Sequence, residues 1–201
     1  MIIGLLRLYY GLTARGIENL PAGGGYILAV NHQSFLDPFI VGAACPHTIN
    51  FMARHTLWNS AFFRFGDWLL RVSIPLRRGT ADRTALREAM CRLEQGRVIL
   101  MFPEATRTVT GALGPVKKGP AFLAERCGAP VVPVIIKGAF AIWPKGRSRP
   151  SLAPRPFNRL AVRFGEPIYP ADYAHLASHE RLEAMTRMLD FRMHELFNDD
   201  R

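Results

Sequence analysis

Residues 26–38 read Tyr26-Ile27-Leu28-Ala29-Val30-Asn31-His32-Gln33-Ser34-Phe35-Leu36-Asp37-Pro38. The run Tyr26–Val30 is apolar, β-rich and too short for a helix, so it reads as a buried strand. It breaks off into polar residues at Asn31. Asp37-Pro38 then reads as a helix start, an N-cap carboxylate followed by proline at the first helical position, where its missing N–H costs nothing. Strand, polar loop and helix follow one another within this short stretch.

The same alternation extends outward on both sides. Ile49–Ala53, Val98–Phe102, Val131–Ile136 and Leu160–Phe164 read as further strands. Thr80 can cap a helix whose Ala85, Leu86, Ala89, Met90 and Leu93 share one face, with Gly96 as its stop. Pro120 starts another, and Gly128 ends it. The last helix spans about 178–197, with Leu182, Met185, Leu189, Met193 and Leu196 on one side; methionines at that spacing read as core. Alternating strands and helices without repeats or low-complexity tracts, in a chain of 201 residues, predict a single-domain α/β fold: a mixed, mostly parallel sheet flanked by helices. In such sheets, sites gather beyond the carboxyl ends of the strands.

Composition narrows the partners. The formal net charge of +10 favours an anionic partner: a membrane surface, nucleic acid, coenzyme A phosphates or an acidic carrier protein. Cys45, Cys91 and Cys127 are odd in number and widely spaced, which suits a reducing, cytoplasmic setting. The apolar stretch Met1–Leu12 is far shorter than the roughly 20 residues a spanning helix needs. It lacks a basic n-region and a cleavage site, so it does not read as a signal peptide. Tyr9 and Tyr10 beside Arg7 suit a headgroup boundary, although a first helix packed on the domain accounts for the same residues.

Two polar clusters follow strands. The first is Asn31–Pro38; the second is Pro103-Glu104-Ala105-Thr106-Arg107-Thr108, after Val98–Phe102. Neighbouring strands would present them together. A histidine is a competent base near neutral pH, and a carboxylate on its far nitrogen would fix its tautomer. Positions five apart on an unbroken helix point about 140° apart, so His32 and Asp37 meet only across a turn, which the predicted loop-to-helix junction supplies. Otherwise Asp37 merely caps its helix. Arg107 offers a planar fork for a phosphate, and Glu104 and Thr108 can hold a polar headgroup or a neighbouring side chain.

Asn31-His32-Gln33-Ser34-Phe35-Leu36-Asp37 resembles the NHxSxxD block of glycerolipid acyltransferases, and Phe102-Pro103-Glu104-Ala105-Thr106-Arg107-Thr108 resembles their FPEGTRS block. Ile74-Pro75-Leu76-Arg77-Arg78 resembles the intervening arginine block and Val131-Val132-Pro133-Val134 the last; Lys117-Lys118-Gly119 fits the stretch between the third and fourth. These blocks, in this order, are similar to those of the PlsC-like 1-acyl-sn-glycerol-3-phosphate acyltransferase family. The resemblance implies an O-acyltransferase with His32 as general base, oriented by Asp37. It implies substrate binding by Asn31, Ser34, Arg78, Glu104, Ala105, Thr106, Arg107, Thr108, Lys118 and Pro133. The acceptor would be a lysophospholipid, foremost 1-acyl-glycerol-3-phosphate giving phosphatidic acid, with another lysolipid such as lyso-ornithine lipid as the alternative. The donor would be an acyl carrier protein or coenzyme A thioester, with no cofactor and no metal. A thiol leaves as thiolate without a strong acid, and no G-x-S-x-G nucleophile elbow is present.

Three positions depart from the pattern: Ala105 replaces the usual Gly, Arg77 an acidic residue and Thr108 a Ser. An alanine at position 105 is costly if the backbone there needs positive φ. On this reading residues 1–20 form an amphipathic membrane-associating segment and 21–201 the acyltransferase domain, peripheral to the cytoplasmic face of the membrane. The aromatic and arginine-rich stretch 57–71 reads as an interface helix or as core packing, and the basic stretch 144–159 as a solvated loop or a docking surface. Two rivals remain: a metal hydrolase with His32, Asp37 and Glu104 as ligands, and a non-catalytic binder of nucleic acid or anionic membrane, for which no nucleic-acid motif is present.

Overall fold

The computed structural model describes residues 9–54, 73–76, 82–151 and 159–199. Within them lies one sheet of seven strands: β1 (Thr13–Arg15), β2 (Ile27–Val30), β3 (Ile49–Arg54), β4 (Ser73–Leu76), β5 (Val98–Met101), β6 (Val131–Lys137) and β7 (Ala161–Phe164). Their order is β1-β7-β6-β2-β5-β3-β4. Every neighbouring pair is parallel except β6 with β7. The helices are α1 (Asp37–Ala44), α2 (Arg83–Glu94), α3 (Gly119–Cys127), the short α4 (Ala139–Ile142) and α5 (Ser178–Asn198).

Strand alternation distributes the core between the two faces, because successive side chains point to opposite sides. Leu28, Val30, Leu100, Val132, Val134 and Ile136 share one apolar cluster with Ile40 and Val41 of α1. Ile27, Ala29, Ile99, Val131 and Ile135 share the other with Ala85, Ala89 and Leu93 of α2, Leu123 of α3, and Met185, Leu189 and Met193 of α5. Both faces are covered, as a mostly parallel sheet demands. The methionines of the last helix are core, as their spacing predicts.

The five strands expected from the sequence are present, with ends within a residue of those expected. The helix around residue 85 departs in its cap. Asp82 accepts hydrogen bonds from the Thr84 and Ala85 amides at 3.1 Å each, whereas Thr80 lies outside the described residues. Gly96 (φ 76) and Gly128 (φ 64) hold the left-handed stops, where a side chain would be strained. Strands β1 and β4 were not expected. β1 pairs with β7, and Tyr10 lies in the core with its hydroxyl on the Ser151 carbonyl at 2.8 Å. β4 is an edge strand, a place where a proline such as Pro75 is tolerated.

Strand order positions the site. From β2 the chain winds to β3 and β4 on one side, returns to β5 directly beside β2, and then crosses to β6 on β2's other flank. The register pairs Ile27 with Ile99 and Ala29 with Met101. The loops leaving β2 and β5 consequently emerge side by side at the carboxyl end of the sheet, the place where open α/β folds gather their chemistry.

Candidate active site

The loop after β2 is fastened before any chemistry is considered. Asn31 is buried; its Nδ2 donates to the Ile136 carbonyl at 3.0 Å and its Oδ1 accepts from the Ile136 amide at 2.7 Å. Ser34 Oγ donates to the Trp143 carbonyl at 3.0 Å. Asn31 and Ser34, expected as substrate-binding residues, hydrogen-bond to backbone groups through these atoms.

His32 and Asp37 meet across the turn between them, with Nδ1 and Oδ2 2.8 Å apart. The same Oδ2 accepts from the Gln33 and Ser34 amides, each at 2.8 Å. The carboxylate thus reaches back into the loop, and the helix N-cap is Leu36 rather than Asp37. Capping its own helix forward is not what Asp37 does. Burial pushes its carboxyl up, while His32 and the two amides pull it down. The His32 ring stacks on Phe102 with centroids 3.8 Å apart and planes 15° apart. Its side chain is 15% exposed, and among the described residues Nε2 has no hydrogen-bond partner.

The loop after β5 closes on this one at several points. Glu104 Oε1 accepts from the His32 amide at 2.8 Å and Oε2 from the Gly114 amide at 2.9 Å. The Thr108 amide donates to the His32 carbonyl at 2.8 Å, and Gln33 Nε2 to the Gly111 carbonyl at 2.9 Å. Residues more than seventy positions apart are joined through backbone groups. Glu104 is buried, and burial raises its carboxyl above the ordinary 4.5 against the pull of the two amides. Each oxygen takes one N–H group, so Glu104 ties the two loops together. Among the described residues no group of three or more His, Cys, Asp or Glu is arranged to hold a metal ion.

Ala105 adopts φ 59, the one positive φ among the described non-glycine residues. It and Thr106 are exposed, while Arg107 and Thr108 are half-buried. Arg107 Cζ lies 5.7 Å from the Phe35 ring centroid. No described carboxylate lies within ion-pair distance of it, so its planar fork is open to an anion. Thr108 Oγ1 accepts from the Gly111 amide at 3.1 Å.

Lys118 Nζ donates to Glu183 Oε1 on α5 at 3.1 Å, an exposed pair. Pro133 is buried within β6, and its carbonyl accepts from the Gly165 amide at 2.8 Å. Arg77 and Arg78, the stretch 57–71 and part of the basic stretch 144–159 lie outside the described residues. Sequence reasoning missed Gln33, Phe102, Gly114 and Trp143. A Cβ on Gly114 would stand 2.7 Å from Glu104 Oε2. Gln33, inside the first polar cluster, and Phe102, the last residue before the second, carried a signal of position; Gly114 and Trp143 act through contacts that no spacing announces.

Comparison with known proteins agrees with this arrangement. A sequence model of the family described as Acyltransferase matches residues 11–137. The 1-acyl-sn-glycerol-3-phosphate acyltransferase of Bacillus subtilis (strain 168) is 31% identical over 199 residues, 96% of this chain and 92% of that protein. The Saccharomyces cerevisiae protein of the same name is 34% identical over 146 residues, 66% of this chain and 45% of its own length. The crystal structure of the 1-acyl-sn-glycerophosphate acyltransferase PlsC from Thermotoga maritima superposes with a TM-score of 0.72 at 28% identity, over 94% of this chain and 73% of that one.

Proposed function

This chain belongs to the PlsC-like 1-acyl-sn-glycerol-3-phosphate acyltransferase family, and on that footing we infer that it moves a fatty acyl chain from a thioester to the free hydroxyl of 1-acyl-glycerol-3-phosphate, giving phosphatidic acid. The observation that carries the reading is the 2.8 Å contact between His32 Nδ1 and Asp37 Oδ2, which leaves Nε2 without a partner among the described residues.

The steps follow from the residues. Asp37 accepts a hydrogen bond from Nδ1–H and so keeps the lone pair on Nε2. Nε2 takes the proton of the acceptor hydroxyl as that oxygen adds to the thioester carbonyl. The C–S bond then breaks, and the thiolate leaves and collects the proton from Nε2. A thiol of pKa about 8.5 is a good enough leaving group for a single positioned base to suffice. Arg107 grips the phosphate with its in-plane N–H groups, and Arg78 is a second cation for it. Glu104 keeps the histidine loop and the phosphate loop in one register.

The donor is carried on acyl carrier protein or coenzyme A. No helix among the described residues is long and apolar enough to cross a membrane, and we place the enzyme peripherally at the cytoplasmic face, with residues 1–20 contributing to attachment and the net charge of +10 favouring an anionic surface.

Purified enzyme given lysophosphatidic acid and either thioester is expected to yield phosphatidic acid, identified by mass. His32→Ala is expected to lose at least about 100-fold in rate while remaining folded. Near-full acylation by that variant refutes the general-base role; acylation of other lysolipids but not of lysophosphatidic acid refutes the acceptor.

A further inference from the structure

We propose that Phe35, braced by Trp143, is a positioning residue for Arg107, holding the guanidinium over its ring face where no carboxylate competes, so that its charge and its donors stay available to the acceptor's phosphate monoester. The proposal rests on the reading of Arg107 given above and adds what aims it.

An arginine that must bind a phosphate faces conflicting demands. It has to be held still, because a long side chain that is free in solvent loses rotamer freedom on binding. It must not be held by a carboxylate, which would occupy the fork and cancel its charge. The described residues place no carboxylate in reach of Arg107. What they place there is an aromatic face, with Cζ 5.7 Å from the Phe35 centroid, inside the range over which a ring quadrupole attracts a cation. A ring attracts the cation without neutralising it, so the charge and the hydrogen-bonding capacity of the guanidinium stay available to a ligand.

Phe35 is itself fixed from behind. Its ring meets Trp143 with centroids 5.0 Å apart and planes tilted by 48°. The preceding residue, Ser34, donates to the Trp143 carbonyl at 3.0 Å, and Trp143 Nε1 donates to the Arg147 carbonyl at 2.9 Å. The following residue, Leu36, is the one taken up by the apolar core. On the other side, the Thr108 amide ties the backbone next to Arg107 to the His32 carbonyl at 2.8 Å. Trp143, Phe35 and Arg107 therefore form a row of contacts tied at both ends to the loop that carries the base.

The test is steady-state kinetics with lysophosphatidic acid as acceptor for wild type, Phe35→Leu, Phe35→Tyr, Arg107→Ala and the double variant of Phe35→Leu with Arg107→Ala. Removing the ring is expected to raise the acceptor KM about five-fold, leaving kcat and the thioester KM within about two-fold. Phe35→Tyr keeps the ring face and is expected to restore the wild-type acceptor KM. In the Arg107→Ala background Phe35→Leu is expected to add nothing, since the contact it removes is already gone. An equal loss in that background, or a fall in kcat matched to the rise in KM, assigns Phe35 to packing and overturns the proposal. If Arg107→Ala raises the acceptor KM and Phe35→Leu does not, the positioning role alone fails. If Arg107→Ala leaves that KM unchanged, the phosphate-binding reading of Arg107 fails, and the proposal with it. Should Phe35→Leu not fold, Phe35→Met carries the same expectations.

Discussion

Ala105 stands where the related acyltransferases usually carry glycine, and its φ of 59 is a conformation in which Cβ crowds the next carbonyl at a cost of roughly 1–2 kcal/mol. The turn is over-determined by its neighbours: Glu104 is held by two amides, and the Thr108 amide by the His32 carbonyl. Ala105→Gly is therefore expected to stabilise the fold, by about 0.5–1 kcal/mol after the added freedom of the unfolded chain is subtracted. In a thermal melt this is a rise of about 1–4 °C, and a fall would show the alanine turn to be unstrained. At this scale the sequence was informative where a residue's identity carries its chemistry. His32, Asp37 and Arg107 could be picked out because an imidazole, a carboxylate and a guanidinium each do one kind of work. Asn31, Ser34 and Glu104 were picked out as ligands for substrate; the backbone bonds they make were not foreseen. Their work as ties depends on which backbone N–H or C=O comes within 3 Å, and that is fixed only when distant strands assemble.

Elements were legible in proportion to the local rules that mark them. α3 and α5 lie where proline, glycine and the apolar spacing put them. β1 has only three residues, too few to show an alternation, and β4 carries Pro75, which reads against a strand; both lie at the edges of the sheet. The N-terminus of α2 illustrates a competition between caps. Thr80 and Asp82 are both good capping types, and the Asp82 carboxylate is the one that takes the Thr84 and Ala85 amides. Asp82→Ala is expected to cost about 1 kcal/mol, a loss of about 2–4 °C in the melting temperature. Acylation at moderate temperature is expected to be unchanged, because α2 packs beneath the sheet through Ala85, Ala89 and Leu93 and contributes no residue to the site. An unchanged melting temperature for Asp82→Ala would return the cap to Thr80.

In the whole molecule, alternation of strands and helices was enough to predict a mostly parallel sheet, but not the strand order, since several windings satisfy the same alternation. That order is what sets β5 beside β2 and brings the two polar loops together. The site therefore depends on the integrity of the sheet and on α1, which carries Asp37 in its first turn and ends at Cys45. The cysteines report on that integrity without touching the chemistry. Cys91 is exposed, Cys127 half-buried and Cys45 buried; burial is the leading cause that raises the thiols of Cys45 and Cys127, which lowers their thiolate fraction. With a chromogenic disulfide reagent at neutral pH, Cys91 is expected to react first, Cys127 next, and Cys45 only at the rate at which the core opens. The Cys45 rate should then rise with low denaturant in parallel with global unfolding. A Cys45 that reacts promptly while the fold stays intact would mean that α1 leaves the sheet by itself, and Asp37 could not then hold His32 through repeated turnovers.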